Sequence, residues 1–314
     1  MKIVLLEGLG VSDEIIENEA SKLEKMGHTL TVYPKDIDVN VQKERLKDAD
    51  VAILANMPLA SDAVKEAKDL KFIDVAFTGV DHIPMNVARE KGIVVSNASG
   101  YATEAVAELC IATAIVMLRN VKKVQDRCRE GKTKDGLVGS LLAGKTIGIV
   151  GAGAIGKKVA HYAKAFGCHT LAYSRSKVTD PVFDEEVSLD ELMQRSDIVS
   201  LHCPLTDDTK GMIDASKIAL MKKTAILINT ARGAVVDSEA LATALNEDKI
   251  AGAIIDVFEK EPPLDIDHPL LHSKNTIVTP HIAFASKESL ELRAEIVFNN
   301  LYAWLDGEPT NIVK

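Results

Sequence analysis

One stretch limits the possible folds more than any other: Thr146 to Arg175, reading TIGIVGAGAIGKKVAHYAKAFGCHTLAYSR. Its apolar run Ile147–Val150 lies between Lys145-Thr146 and a glycine, the pattern of a buried strand. Gly151, Gly153 and Gly156 follow in the spacing G-x-G-x-x-G, opening a segment whose apolar residues (Ile155, Val159, Tyr162, Ala163, Phe166) recur at helical intervals. Gly167 ends that helix, and His169–Tyr173 reads as a second strand. A glycine-rich turn alone says little, because ordinary tight turns share it. Strand, glycines, helix and strand in this order are the context in which the glycines allow a tight turn, close approach of a pyrophosphate and close helix–strand contact. The helix N-terminus adds unpaired N–H groups and partial positive charge. The stretch predicts a dinucleotide site on a parallel α/β sheet.

The rest of the chain continues the alternation. Before the glycine turn, strands are expected at Ile3–Leu6, Thr29–Tyr33, Val51–Leu54, Phe72–Phe77 and Val94-Val95, with helices at Ile15–Met26, Asp62–Leu70 and Asn86–Lys91. After it, strands are expected at Ile198–His202, Ala225–Ile228, Ala253–Asp256 and Thr276–Val278, and helices at Leu189–Arg195, Ala215–Met221, Ser238–Asn246 and Lys287–Leu305. Repeated βα units imply parallel sheets covered on both faces. Thr103–Asn120 is apolar nearly all round, so that helix should be buried at a boundary between domains or subunits. Gly131 to Gly144 is glycine-rich and reads as a loop.

Bulk properties narrow the class. A chain of 314 residues accommodates two domains of ordinary size. Its net charge of −9 argues against a nucleic-acid partner, and no apolar run reaches membrane-spanning length. Lys2 leads directly into the first strand, without the pattern of a signal peptide. Cys110, Cys128, Cys168 and Cys203 are scattered, so neither a disulfide frame nor a metal site is expected. The expectation is a soluble cytoplasmic protein.

In open α/β sheets ligands sit beyond the carboxyl ends of the strands. Three polar segments arrive there in the second half: Asn229-Thr230-Ala231-Arg232-Gly233, Asp256 through Glu261-Pro262-Pro263, and Thr279-Pro280-His281-Ile282-Ala283. Singly, each has an ordinary reading as surface charge, loop or turn. Together they suit the reduction of a 2-keto acid. Arg grips a carboxylate bidentately, His delivers a proton to the carbonyl oxygen, and a neighbouring Glu orients the imidazole and favours its charged form. Arg232, Glu261 and His281 are therefore expected to converge as the catalytic residues.

These motifs resemble the D-isomer-specific 2-hydroxyacid dehydrogenase family over essentially the whole chain: TGVDHI (78–83), ATEAVAEL (102–109), GKTIGIVGAGAIG (144–156), HCPLTDDT (202–209), INTARGAVVD (228–237), DVFEKEPP (256–263) and TPHIA (279–283). The resemblance implies two doubly wound parallel-sheet domains. The larger (99–285) would be a Rossmann dinucleotide-binding domain and the smaller, discontinuous one (1–98 plus 286–314) a flavodoxin-like substrate domain. It assigns catalysis to Arg232, Glu261 and His281, and substrate contacts to Gly79 and Val80 through their backbone N–H groups. Cofactor contacts would come from Thr78, Gly151, Gly153, Ala154, Ile155, Gly156, Ser174, Arg175, Ser176, Cys203, Pro204, Thr209, Thr230, Ala231 and Asp256, the last facing the nicotinamide amide. A homodimer is implied, with no metal.

Two departures refine this. NAD-using members of such folds carry an acid after the second strand, to meet the ribose 2′-hydroxyl, whereas here Ser174-Arg175-Ser176-Lys177 stands in its place. A cation there attracts a 2′-phosphate; at ~4 Å and an effective dielectric of ~20 the pair is worth roughly 4 kcal/mol before desolvation. NADP(H) is accordingly expected over NAD(H). The loop Ala55-Asn56-Met57-Pro58-Leu59, which the family places over the substrate, holds no cation. A small uncharged keto acid such as glyoxylate or hydroxypyruvate therefore suits it better than a phosphorylated one, with Asn56 available to bond a hydroxyl. Competing readings are a phosphoglycerate, formate or phosphite dehydrogenase of the same fold, and a non-catalytic nicotinamide sensor resembling corepressors. Glu261, where formate enzymes have Gln, speaks against the formate reading.

Overall fold

Short runs rich in Val, Ile and Leu build most of the strands, and the inner strands of both sheets are buried on both faces, while the strands at Thr29–Val32, Glu185–Glu186 and Thr276–Val278, at the sheet edges, are partly exposed. The structure, a computed structural model, describes residues 1–261 and 264–313. Pro262 and Pro263 of the DVFEKEPP motif, and Lys314, lie outside that description. The chain forms two compact units, Met1–Ala102 with the segment from Ala285 onward, and Thr103–Phe284.

The first unit runs β1 (Lys2–Leu5), α1 (Asp13–Lys25), β2 (Thr29–Val32), α2 (Val39–Leu46), β3 (Val51–Leu54), α3 (Ser61–Glu66), β4 (Phe72–Val75), α4 (Met85–Glu90) and β5 (Val94–Asn97). Its five parallel strands lie in the order β2-β1-β3-β4-β5, the flavodoxin-like order. The second runs α5 (Thr103–Leu118), α6 (Val121–Arg129), β6 (Thr146–Val150), α7 (Ala154–Ala165), β7 (His169–Tyr173), β8 (Glu185–Glu186), α8 (Leu189–Arg195), β9 (Ile198–Leu201), α9 (Ala215–Ile218), β10 (Ile226–Asn229), α10 (Ser238–Asn246), β11 (Gly252–Ile255) and β12 (Thr276–Val278). Its parallel sheet has the order β12-β11-β10-β9-β6-β7-β8. Strand order reverses at β6, which lies between β9 and β7, so the glycine turn leaves the sheet at its switch point. α11 (Lys287–Leu305) then returns to the first unit.

Several elements differ from the sequence expectation. α2 was not foreseen. The helix expected over Asp62–Leu70 stops at Glu66, because Ala67 is extended and Lys91 Nζ takes the carbonyls of Val64, Lys65 and Ala67, which a further turn would need. The helix expected over Thr103–Asn120 ends at Leu118, since Asn120 adopts a left-handed conformation (φ 52°) and starts α6 instead. Of α5, Val106, Ala107, Cys110, Ile111 and Ala114 are buried, and the helix packs on α7, while Ile115 to Leu118 stay half-buried.

A polar pin holds α11 to the first sheet. Asn300 donates to Asp74 Oδ1 (3.1 Å) and to the Asn97 carbonyl (3.1 Å), and its own oxygen accepts from Asn311 (2.8 Å). Trp304 stacks on Phe72 at 5.0 Å. Asp74 is fully buried, and its Oδ2 has no hydrogen-bond partner among the described residues. Burial drives its pKa well above the ordinary value, against the smaller opposing effect of the Asn300 bond. A carboxyl whose pKa is raised by folding gives its full stability below the unfolded pKa and loses it as pH rises towards the folded one. Asp74→Asn removes that ionisation. Its urea midpoint should therefore improve relative to wild type from about pH 4 upward, by up to about 1.4 kcal/mol per pH unit within the window. A difference between the two proteins that does not vary with pH would count against a buried titrating carboxyl.

Candidate active site

The glycine turn has the shape its sequence predicts. Gly151 is left-handed (φ 102°), and a Cβ there would lie 2.7 Å from the carbonyl of His202 and 2.8 Å from the Cys203 nitrogen. At Gly156 a Cβ would strike the Gly151 carbonyl, so helix and strand meet backbone to backbone. Gly153 faces open space, and as N-cap of α7 it leaves the first N–H groups without a side-chain acceptor. A concave turn with free helical N–H groups, a glycine at its mouth and exposed Ala154 beside it fits a pyrophosphate. Ile155 is half-buried on the same first turn. Cys203 contributes backbone to this wall; burial pushes its thiol up to about 11, so it stays protonated. Pro204 is exposed, and its carbonyl accepts from the Thr209 hydroxyl (2.6 Å), which also caps Thr206, so Thr209 shapes its own turn.

Beyond β7 the acids are already occupied. Glu186 accepts the Val178 N–H (3.2 Å), and Asp180 holds Lys157 (3.2 Å). Ser174 is half-buried and Ser176 exposed; between them Arg175 is exposed and ion-pairs with no acid among the described residues.

Three neighbouring strands deliver the polar groups. Past β10, buried Asn229 accepts the Ala231 N–H (3.1 Å) and donates to the Arg232 carbonyl (2.9 Å), fixing the loop that carries Arg232. Thr230 meets Cys110 Sγ at 3.4 Å. Past β11, Asp256 is fully buried and accepts from Thr279 Oγ1 (2.6 Å), Ile282 N (2.8 Å) and Ala283 N (2.8 Å). Burial raises its pKa, and these three donors oppose the rise. The Asp256 carbonyl accepts the His281 N–H (2.7 Å), so one residue braces the entire Pro280–Ala283 turn, in which His281 is left-handed (φ 56°).

His281 Nδ1 lies 2.6 Å from Glu261 Oε2. A carboxylate only accepts, so Nδ1 carries the hydrogen and Nε2 is the nitrogen left for chemistry. The other Glu261 oxygen accepts the Phe258 N–H, and the His281 ring stands edge-on to Phe284 at 5.4 Å. Both side chains are mostly buried. Thus Glu261 and His281 are brought together, and Arg232 emerges from the adjacent strand of the same sheet edge.

The first unit presents its own strand-end loops. Thr78 is exposed, its carbonyl held by Asn97 Nδ2 (2.7 Å), and among the described residues the N–H groups of Gly79 and Val80 bond to no backbone carbonyl. Asn56 sits in a loop braced from beneath: buried Glu7 accepts the N–H groups of Ala55 (2.8 Å) and Met57 (2.7 Å), and Gln42 accepts from Ala60 (2.9 Å). The loop holds no cation of its own, but Lys35 reaches it, 3.4 Å from Asn56 Oδ1 and 3.4 Å from Glu7. Sequence reasoning missed Lys35 and Glu7, because only the fold brings the ends of β1, β2 and β3 together. A cavity of about 520 Å³, lined by Met117, Val138, Ile226 and Ile277 among others, opens at the opposite, amino ends of β10 and β12 and takes no part in this site. No group of His, Cys, Asp and Glu among the described residues is arranged to hold a metal.

Known proteins resemble this chain over most of its length. Residues 111–283 match the model of the D-isomer specific 2-hydroxyacid dehydrogenase, NAD binding domain. The glyoxylate reductase of Korarchaeum cryptofilum is 40% identical over 319 residues, covering 97% of this chain and 95% of the relative. Among solved structures, an acyclic imino acid reductase (Bsp5) in complex with NADPH and D-Arg superposes with a TM-score of 0.93 at 29% identity over the full length of both chains. The D-lactate dehydrogenase of Aquifex aeolicus, complexed with NAD and lactic acid, gives 0.88 at 31% identity, covering 98% of this chain and 96% of that one.

Proposed function

The chain belongs to the D-isomer-specific 2-hydroxyacid dehydrogenase family, NAD(P)-dependent oxidoreductases acting on a CH–OH group, and we propose that it reduces a small uncharged 2-keto acid with NADPH. The observation that carries the chemistry is the 2.6 Å bond between His281 and Glu261 at the sheet edge that also bears the glycine turn. When bound there, reduced nicotinamide supplies the hydride that the keto carbon receives. Arg232 grips the substrate carboxylate with two parallel N–H bonds, and the N–H groups of Gly79 and Val80 add to that grip. His281 Nε2 gives its proton to the carbonyl oxygen as negative charge builds on it; Glu261 stabilises the charged imidazole and fixes the ring. In the oxidative direction the neutral ring takes the same proton back. Asp256 holds the histidine turn and directs what remains of its acceptor capacity towards the nicotinamide amide.

The units divide the labour in this reading: Thr103–Phe284 holds the dinucleotide, and the other unit supplies the substrate loops. Glyoxylate or hydroxypyruvate is favoured because the Asn56 loop carries Lys35 already paired with Glu7, which leaves no net charge for a phosphate. The relative's name, glyoxylate reductase, points the same way. NADPH is favoured because Arg175 is exposed and unclaimed by the acids around it. Absorbance at 340 nm with a panel of keto acids and either cofactor tests both points. We expect turnover on glyoxylate or hydroxypyruvate with kcat/KM about tenfold higher for NADPH. A preference for NADH would overturn the cofactor assignment, and no turnover on any keto acid would favour a sensor.

A homodimer is part of the same proposal. Val121, Val138 and Leu141 are exposed in the segment from the start of α6 to the loop before β6, apolar surface that a second copy would cover. Sedimentation should give twice the chain mass of 33.9 kDa; a monomer at micromolar concentration would refute it. With four unpaired cysteines, the protein is assigned to the reducing cytoplasm.

A further inference from the structure

We propose that Glu259 is a positioning residue, whose carboxylate latches the loop that sets Arg232 and Glu261 in register. The inference rests on the reading of Arg232, Glu261 and His281 given above. Its starting point is one residue, Phe258, whose two flanking peptide groups touch the two halves of the catalytic group. On one side, a Cβ at Gly233 would run into the Phe258 carbonyl and the Glu259 nitrogen, so the backbone immediately after Arg232 lies flush against the peptide that joins Phe258 to Glu259. On the other side, the Phe258 N–H is donated to Glu261, whose second oxygen holds His281. Any movement of the backbone at Phe258 therefore displaces the carboxylate-gripping arm and the proton-transfer pair together.

The Glu259 side chain keeps the peptide in place from two directions. Oε1 accepts from the Ser238 hydroxyl at 2.5 Å, at the start of α10. Oε2 lies 2.9 Å from His268 Nε2, on the far side of the loop. The hydrogen on that histidine can be placed: Nδ1 accepts the Leu270 N–H (3.3 Å), so Nε2 carries the proton and donates to Glu259. The His268 ring also stands edge-on to Phe258 at 4.9 Å, with only 13% of its side chain exposed. Burial works against the charge on Glu259, but the bonds from Ser238 and His268 outweigh it, and its pKa lies below the ordinary Glu value. A charged acceptor with two donors is a firm anchor at neutral pH. Nothing in this latch touches substrate or cofactor in the reading above, so its effect is exerted through Glu261 and Arg232.

The test uses the full-length enzyme with NADPH and glyoxylate, comparing Glu259→Ala, Glu259→Gln and, as a control on the reading itself, His281→Asn. Glutamine can still accept from His268 while its amide donates to the Ser238 oxygen, so Glu259→Gln should keep kcat within about threefold of wild type. Alanine releases both sides, and Glu259→Ala should lower kcat about 10- to 100-fold and raise KM for the keto acid, the scale on which small misplacements act. Its kcat/KM–pH profile should also change, because Glu261 draws back from His281. Among the described residues Glu261 bonds that ring, and Asp256, just past β11, holds the backbone of the turn through bonds that are left in place. A merely structural pin would lower the melting temperature and leave the pH profile unchanged. Should Glu259→Ala not fold, His268→Ala opens the same latch from its other end and should show the same change. The inference is overturned if Glu259→Ala keeps wild-type kcat and pH profile, or if Glu259→Gln is as impaired as Ala. If His281→Asn retains full activity, it is the acid–base reading that fails; if His281→Asn is inactive while Glu259→Ala is normal, only the latch fails.

Discussion

Replacing His281 by asparagine should lower kcat for keto-acid reduction roughly a thousandfold at neutral pH and leave KM for the acid within a few-fold of wild type. Asparagine is the informative choice because the backbone at 281 is left-handed (φ 56°), a conformation that Asn tolerates better than other non-glycine residues. The turn itself is held by Asp256 through the backbone of residues 281, 282 and 283, none of which the substitution removes. An amide at this position can still donate to Glu261, so the carboxylate keeps a partner and its backbone bond from Phe258. What disappears is the ring that, in the proposed mechanism, presents a transferable proton from Nε2. The loss should therefore fall on the chemical step and appear as a primary isotope effect with C4-deuterated NADPH larger than that of wild type. Steady-state rates with an unchanged melting temperature decide the matter. A variant with more than a tenth of wild-type kcat would mean that the proton comes from elsewhere, and the role given to Glu261 would go with it.

What made this pair legible in the sequence is that each member lies in the segment that follows a strand, and strands of a parallel sheet end on one edge. The glycine turn was equally readable, because the steric demand at Gly151 and Gly156 comes from residues within the same βαβ unit or the next strand. α2 was not readable as a helix. Its buried face includes Gln42, a polar residue whose amide is satisfied by the carbonyls of Asp36 and Pro58 and the Ala60 N–H, so no apolar stripe appears in Val39–Leu46. Only Asp38, which caps the helix through the Asn40 and Val41 N–H groups, left a trace. The early end of α3 depends on Lys91, which is remote in sequence from Ala67. Glu259 lay inside a quoted motif without a role, because its partners Ser238 and His268 arrive from either side of the loop. In each case the missing information was a side-chain bond between distant elements, which periodicity and spacing do not encode.

Substituting Arg232 by lysine should cost more than its conserved charge suggests: kcat/KM for the keto acid should fall about 10- to 150-fold, the equivalent of losing one charge-assisted hydrogen bond of roughly 1.5–3 kcal/mol. A guanidinium offers two parallel donors to a carboxylate, while an ammonium is a point charge that meets one oxygen at a time. The loop will not adjust to help the shorter group. Asn229 ties both the Ala231 N–H and the Arg232 carbonyl, and Gly233 is pressed against the Phe258–Glu259 peptide, so the backbone at 232 is fixed from both sides. Lysine should thus retain attraction and lose orientation, raising KM and lowering kcat together. The methyl ester of the same keto acid isolates the effect, because it has no charge for either side chain to grip. Wild type should prefer the acid strongly over the ester, and in Arg232→Lys that preference should shrink by most of the overall loss. An acid-to-ester ratio equal to that of wild type would show that Arg232 does not hold the carboxylate.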